Sequence, residues 1–329
     1  MVDLTTRYLG MELSSPLVPS ASPLGRDLEM ALRLEDAGAA ALVMDSLFEE
    51  RIEEEERRLE RFVLEQDHGH AEAQGFHPIP TGYRSYQEAY LERLARLKER
   101  LSIPVVASLN GITPGGWVEL GRDLEEAGAD ALELNHYYIA ASAEEDAAAV
   151  EGRYLDLLAE LKRHISIPIV MKLGSQFSAP VQMVRRLEEA GAAGVSLFNR
   201  FHVPDVDLQT LEVRPQLQLS TPEEALTRVR WVALLRPQVR FTLAVTGGFH
   251  RWEEAAKALL AGADVVHLCS VLLRKGPEAL TVIRLGIEQW MEEQEYDSLE
   301  QIRGCICYPR AIDPASWLRA NYIDSLESY

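Results

Sequence analysis

The sequence predicts an α/β fold, a closed (β/α)8 TIM barrel, and three observations carry that reading. Four stretches repeat one pattern: EDAGAAALVMDS (35–46), EEAGADALELN (125–135), EEAGAAGVSLFN (188–199) and LAGADVVHLCS (260–270). Each reads as a helix end, a glycine C-cap (Gly38, Gly128, Gly191, Gly262) and a short strand, because glycine alone enters the left-handed conformation at little cost. The strand segments are apolar without strict alternation, as in a parallel sheet covered on both faces. With the remaining apolar runs there are eight such strands, separated by segments with apolar residues three and four apart. An open doubly wound sheet is the competing architecture.

Strand 1 is PLVPS (16–20), followed by a helix from about Asp27. Strand 2 lies near 40–45. After it comes FEERIEEEERRLERFVLEQDHGH (48–70), a charged helix-like insertion that Ile52, Leu59, Phe62 and Val63 can dock while its charges stay solvated. Strand 3 (near 104–109) and strand 5 (near 168–173) each follow a Ser-Ile-Pro, and proline is tolerated at a strand start. Strand 4 lies near 130–134, strand 6 near 193–198, strand 7 near 241–246 and strand 8 near 264–269. Helices are expected over Tyr154–His164, Val181–Ala190 and Trp252–Ala261. The expected organisation is one domain, 1–329, with an insertion at about 48–100 and a C-terminal extension at about 293–329. That extension, with RGCICYP and WLRANYIDSL, is too rich in aromatic and apolar residues for disorder, so it is expected to pack on the barrel.

The 329 residues are 47% hydrophobic and 26% charged, ordinary for a soluble globular protein. A net charge of −19 repels nucleic acid and anionic membrane, so neither is expected as a partner. Local backbone dipoles still allow a phosphate-bearing ligand. Three cysteines imply no disulfide framework, and Cys305 and Cys307 read as reduced thiols of a cytoplasmic protein. The N-terminus shows no signal pattern, and no apolar run approaches the ~18 residues of a membrane span. His68 and His70, in a polar loop, read as exposed, and no metal site is expected.

Barrel chemistry sits at the C-terminal strand ends. Gly247 and Gly248 after strand 7, with Cys269 and Ser270 after strand 8, stand where barrels commonly bind phosphate. Lys172 ends the apolar strand IVMKL. Three readings stay open for it: a permanent positive charge facing an electron-rich ligand, a Schiff-base lysine, or a lysine paired with Glu133 of the neighbouring strand.

SPLVPSAS near the start, LELN at strand 4, IPIVMKLG at strand 5, the Asn199 ending of strand 6, AVTGGFH at strand 7 and HLCSVLLRKGP at 267–277 together resemble the dihydroorotate dehydrogenases and related FMN-dependent barrels. The resemblance covers nearly the whole chain, most weakly at 48–80 and after 293. It implies that Lys172 lies beside the flavin pyrimidine edge, stabilising negative charge on the reduced ring. It implies that Gly247, Gly248 and Ser270, with the adjoining Cys269, hold the FMN phosphate, and that Ser20, Ala21 and Ser22 lie along the ring. Asn135 and Asn199 are then hydrogen-bond partners of flavin or of an amide-containing substrate.

The chain also departs from that family. Asn135 is followed by His136-Tyr137-Tyr138-Ile139-Ala140, with no thiol or hydroxymethyl at the base position, where Tyr138 aligns. Met44-Asp45-Ser46 replaces a lysine expected after strand 2, and HPIPTGYRSY replaces an asparagine-bearing loop before strand 3. Candidate proton-transfer residues are Tyr138, then His136, then Ser142. The expected function is hydride transfer between a small, pyrimidine-like substrate and FMN, as in pyrimidine biosynthesis, with a separate electron acceptor and a homodimeric assembly. The alternatives are a phosphate-binding lyase or isomerase using Lys172 covalently, and a non-catalytic flavin-binding homologue.

Overall fold

In the computed structural model, residues 2–67, 83–111, 116–200, 203–318, 322 and 326–327 are described. His68, His70 and the side chains of Phe62 and Val63 lie outside the described residues, as does HPIPTG (77–82). Eight parallel strands run Leu17–Pro19, Leu42–Phe48, Val105–Asn110, Ala131–Asn135, Ile169–Leu173, Gly194–Leu197, Thr242–Thr246 and Val265–Leu268, in the order the sequence predicts. The hydrogen-bonded ladder passes from strand 2 through strand 8 and on to strand 1. At the seam between strands 1 and 2, Ala40 N donates to Leu17 O at 3.0 Å. Strand 1 therefore touches both strand 8 and strand 2, which a doubly wound sheet does not allow.

The repeated sequence has a physical counterpart. The four glycines take φ of 102°, 94°, 90° and 120°, closing their helices as expected. Three residues before the first three of these glycines stands a glutamate that reaches across to the chain entering the next odd strand. Glu35 accepts from Ser102 N at 2.8 Å and Ile103 N at 3.2 Å, and Glu125 from Ser166 N at 2.9 Å and Ile167 N at 3.2 Å. Glu188 does the same for Arg240 N at 2.7 Å and Phe241 N at 2.9 Å. The Ser-Ile-Pro echoes are the recipients of this contact, and the buried strand starts lose no backbone hydrogen bonds. The fourth repeat has Leu259 at that position, buried in the core.

A hairpin, Thr6–Tyr8 with Met11–Leu13, plugs the N-terminal end of the barrel. Tyr8, Leu9 and Leu13 pack on Val43, Val106, Val170 and Val265 inside it. Thr6 Oγ1 donates to Asp264 O at 2.9 Å, and Leu9 N to Thr242 Oγ1 at 3.0 Å. The interior is therefore filled from below and accessible only at the C-terminal face.

After strand 2 the charged helix Glu49–Asp67 forms as expected. The following helix, Tyr86–Arg100, buries Tyr90, Leu94 and Leu97 in the core and is the ordinary barrel helix before strand 3. The added segment thus ends well before residue 100. Past strand 6 stands an antiparallel hairpin, Asp205–Asp207 with Glu212–Arg214. The extension after 293 packs on the barrel through Leu299, Ile302 and Trp317, with Arg303 Nη1 bonded to Asp264 at 2.9 Å. Its thiols, Cys305 and Cys307, are free. No described helix is long and apolar enough to cross a membrane.

Candidate functional site

A cavity of about 430 Å³ opens at the C-terminal strand ends. Ser20, Ala21 and Ser22 reach it from strand 1, Lys172 from strand 5, Asn199 from strand 6, Gly247 and Gly248 from strand 7, and Cys269 and Ser270 from strand 8. Nine of the residues singled out in the sequence thus share one cavity, although they are spread over some 250 positions of the chain.

On one wall, Lys172 Nζ donates to Glu133 Oε1 at 3.1 Å, with side chains 8% and 0% exposed. The pairing with Glu133 and the position facing the cavity therefore hold together. Beneath the pair the barrel interior is polar. His267 Nδ1 lies 3.9 Å from Glu133 Oε2 and 3.5 Å from Ser196 Oγ, and Tyr8 meets the His267 ring edge-on at 5.7 Å. Burial depresses His267 to about 4 and outweighs the opposing pull of Glu133, so the imidazole is neutral at pH 7. Burial, with Glu133 adding to it, pushes the Tyr8 phenol well above its ordinary range.

The far end of the cavity has a different chemistry. Gly247 and Gly248 take φ of 89° and 98°. A Cβ on Gly248 would stand 2.3 Å from Ala225 N, so only glycine fits there, and one on Gly247 would stand 3.0 Å from Arg228 Nη2. Arg228 donates to Thr246 O and to Glu224 O, both at 3.0 Å. Arg200 Nε meets Glu224 Oε2 at 2.9 Å, and Arg228 Nη2 lies 3.8 Å from the same atom. Two guanidinium groups sharing one carboxylate leave a local positive charge beside the glycine pair. Ser270 Oγ accepts from Ser220 N at 3.0 Å. The Cys269 thiol is pushed up by burial, against Lys172 and Arg200, and stays protonated at pH 7.

Asn135, His136 and Tyr138 are not on the described cavity wall. Asn135 is buried behind it and accepts from Asn199 Nδ2 at 2.8 Å, orienting that side chain. The His136 ring is turned into packing by the strand's alternation: Nδ1 lies 3.2 Å from Gly111 O, and Tyr154 meets the ring edge-on at 4.6 Å. Burial lowers its pKa, and Nε2 has no hydrogen-bond partner among the described residues. Tyr138 donates to Glu145 under the Arg153 guanidinium, and that hydrogen bond raises its pKa. Ser142 is exposed.

No family model matches the chain. Curated relatives do. The putative dihydroorotate dehydrogenase A (fumarate) of Aeropyrum pernix is 28% identical over 92% of this chain and 97% of its own length. The catalytic subunit of dihydroorotate dehydrogenase B (NAD(+)) of Thermoplasma acidophilum is 26% identical over 92% and 99%. The PreA subunit of the NAD-dependent dihydropyrimidine dehydrogenase of Escherichia coli K12 is 25% identical over 98% and 80%. Over nearly its whole length this chain is similar to dihydroorotate dehydrogenases.

The cavity is also lined or flanked by residues that the sequence patterns did not single out. Arg26 lines the cavity from the loop after strand 1, its Nε 2.8 Å from Asp45 Oδ2, while Arg93 holds the other Asp45 oxygen at 2.7 Å. A cation thus stands near the strand 2 end although that strand carries no lysine there. The signal was Asp45 itself, an acid closing an apolar strand and in need of counter-charges. Arg200 directly follows Asn199 at a strand end and was legible as a rim residue. His267 lay hidden inside an apolar strand with no periodicity to set it apart.

Proposed function

We propose that this protein is an FMN-dependent oxidoreductase transferring a hydride between a small pyrimidine-like substrate and the flavin, with a separate electron acceptor. The carrying observation is a single cavity with Lys172 on one wall and a glycine pair beside unbalanced arginine charge at the other end. Its size falls in the ~300–1,000 Å³ range of small-molecule and cofactor sites. The relatives named for dihydroorotate and dihydropyrimidine chemistry support the substrate class.

The residues fit the cofactor. The backbone at Gly247 and Gly248 is open to close approach by a phosphate, Ser270 adds a hydroxyl, and the Arg200–Arg228–Glu224 group supplies net charge on an otherwise acidic protein. FMN, when bound, supplies the two-electron centre. Lys172 then opposes the negative charge that reduction brings, an interaction stronger in the transition state than in the ground state. Asn199, held by Asn135, offers a fixed amide to a ring edge. The candidate proton-transfer residues His136 and Tyr138 stand off the described cavity wall, and Tyr138 already donates to Glu145, so the proton-transfer role is left unassigned. We place the protein in the cytoplasm, as a homodimer.

Denaturing the protein and identifying the released chromophore tests the reading. FMN is expected, followed by anaerobic bleaching with dihydroorotate or a dihydropyrimidine. FAD, or no flavin even after reconstitution with excess FMN, overturns it.

A further inference from the structure

We propose that Glu133 is a positioning residue of the site: its buried carboxylate holds the Lys172 ammonium at the cavity wall and offsets its charge, so that the pair, not the lysine alone, sets how strongly the cavity favours an anionic ring. The proposal rests on the flavin reading for its redox half and on geometry for its positioning half.

Glu133 lies on strand 4 in register with Val170 of strand 5, two positions below the Asn135–Lys172 pair and on the same face of the strand as Asn135. From there its side chain reaches Nζ at 3.1 Å while itself fully buried. Among the described residues its carboxylate accepts a hydrogen bond from Lys172 alone, and Oε2 has no partner. Two more buried polar atoms without partners among the described residues, Tyr8 Oη and His267 Nε2, belong to the side chains beneath it. Because His267 is neutral, it brings no second cation to the carboxylate. The charge of Glu133 is therefore directed at Lys172.

Stability gives little reason for such a pair. Taking both ions out of water costs several kcal/mol each, and apolar residues of similar volume usually serve a core as well or better. A carboxylate placed at full burial, incompletely hydrogen-bonded, and one side chain away from a ligand cavity is better accounted for by what it does to the cation facing that cavity. Lys172 has four flexible carbon bonds; a fixed acceptor below selects the rotamer that presents Nζ at the wall.

The test compares the parent, Glu133→Gln and Glu133→Asp. In the full-length chain before FMN is added, competitive acetylation near neutral pH is read by mass spectrometry, with exposed Lys257 as the internal reference. Only a free amine reacts, so an ammonium held by a carboxylate is protected. Glu133→Gln is expected to raise Lys172 labelling relative to Lys257 about tenfold, and Glu133→Asp, whose shorter arm falls short of Nζ, by a smaller factor. Glu133→Asp keeps the charge and serves as the working variant should Glu133→Gln not fold. An unchanged ratio in a folded variant overturns the positioning role. In the FMN-loaded protein, Glu133→Gln is expected to tighten binding of reduced over oxidised flavin about tenfold, which is about 30 mV for a two-electron couple. A potential unchanged or lowered overturns the tuning. Failure to take up any FMN counts against the proposed function alone, and the acetylation ratio still decides the placement of Lys172.

Discussion

His267 carries the clearest pH signature of any single residue. The unfolded imidazole titrates near 6.5 and the folded one at about 4, because burial disfavours its charged form. Between those values the unfolded chain binds a proton that the folded chain refuses. Stability is therefore full above pH 6.5 and falls as the pH drops toward 4, by about 3 kcal/mol in all. His267→Gln should flatten that part of the profile, measured as urea midpoints at several pH values; an unaltered slope in the variant would place the proton elsewhere. Lys172 was legible in the sequence because a lysine inside IVMKL is out of place. His267 was not, since VVHL reads as any apolar strand and its meaning comes from Glu133, 134 positions away.

Among the elements, the hairpin after strand 6 is the least explained by the barrel. Leu208 and Leu211 in its loop are 85% and 79% exposed, and Val206 and Val213 on its strands are open to solvent too. Leu211 also takes φ of 56°, a conformation poorly suited to leucine. Asp207 steadies the turn by accepting from Gln209 N at 2.8 Å and Thr210 N at 3.1 Å. A loop that spends strain and solvation on leucines is suited to contact with another surface. The homodimer proposed above is expected to be held through this arm. Leu208→Asp combined with Leu211→Asn, the latter a residue at ease with positive φ, should halve the mass in sedimentation while leaving the circular dichroism unchanged. A parent that sediments as a monomer, or a variant of unchanged mass, would end that assignment. The hairpin escaped sequence reading because VDLQTLEV has three-residue strands and no Asn-Gly or Asp-Gly turn. The same brevity hid TRY and MEL, whereas the eight barrel strands stood out between glycine caps and prolines.

The whole molecule divides its labour between two faces. The C-terminal face gathers the polar residues that the strand ends announced, and the closed end below is held by groups with no access to the cavity. Asp264 is the main tie at that end. Its carboxylate receives Arg236 Nη1 at 3.0 Å, Arg303 Nη1 at 2.9 Å and Leu243 N at 2.8 Å. Helix Ala225–Leu235, strand 7 and the C-terminal extension thereby meet at one buried acid, and Thr6 of the plugging hairpin bonds its carbonyl. Asp130 repeats part of the arrangement, with Lys98 and Val105 N as donors, which is what the recurring Gly-Ala-Asp encodes. Asp264→Ala leaves two guanidinium groups and a backbone amide without their acceptor. The expected loss is about 3 kcal/mol, as for removal of one member of a buried pair, read as a lower urea midpoint at neutral pH. Arg303→Met, which spares the Arg236 contact, should cost roughly 1 kcal/mol. Neither change touches the cavity, so the flavin recovered and its reduction potential should match the parent. A stability loss that came with a shifted potential would show the two faces to be coupled through the barrel, and a loss well under 1 kcal/mol for Asp264→Ala would mean the extension is held by its apolar contacts instead.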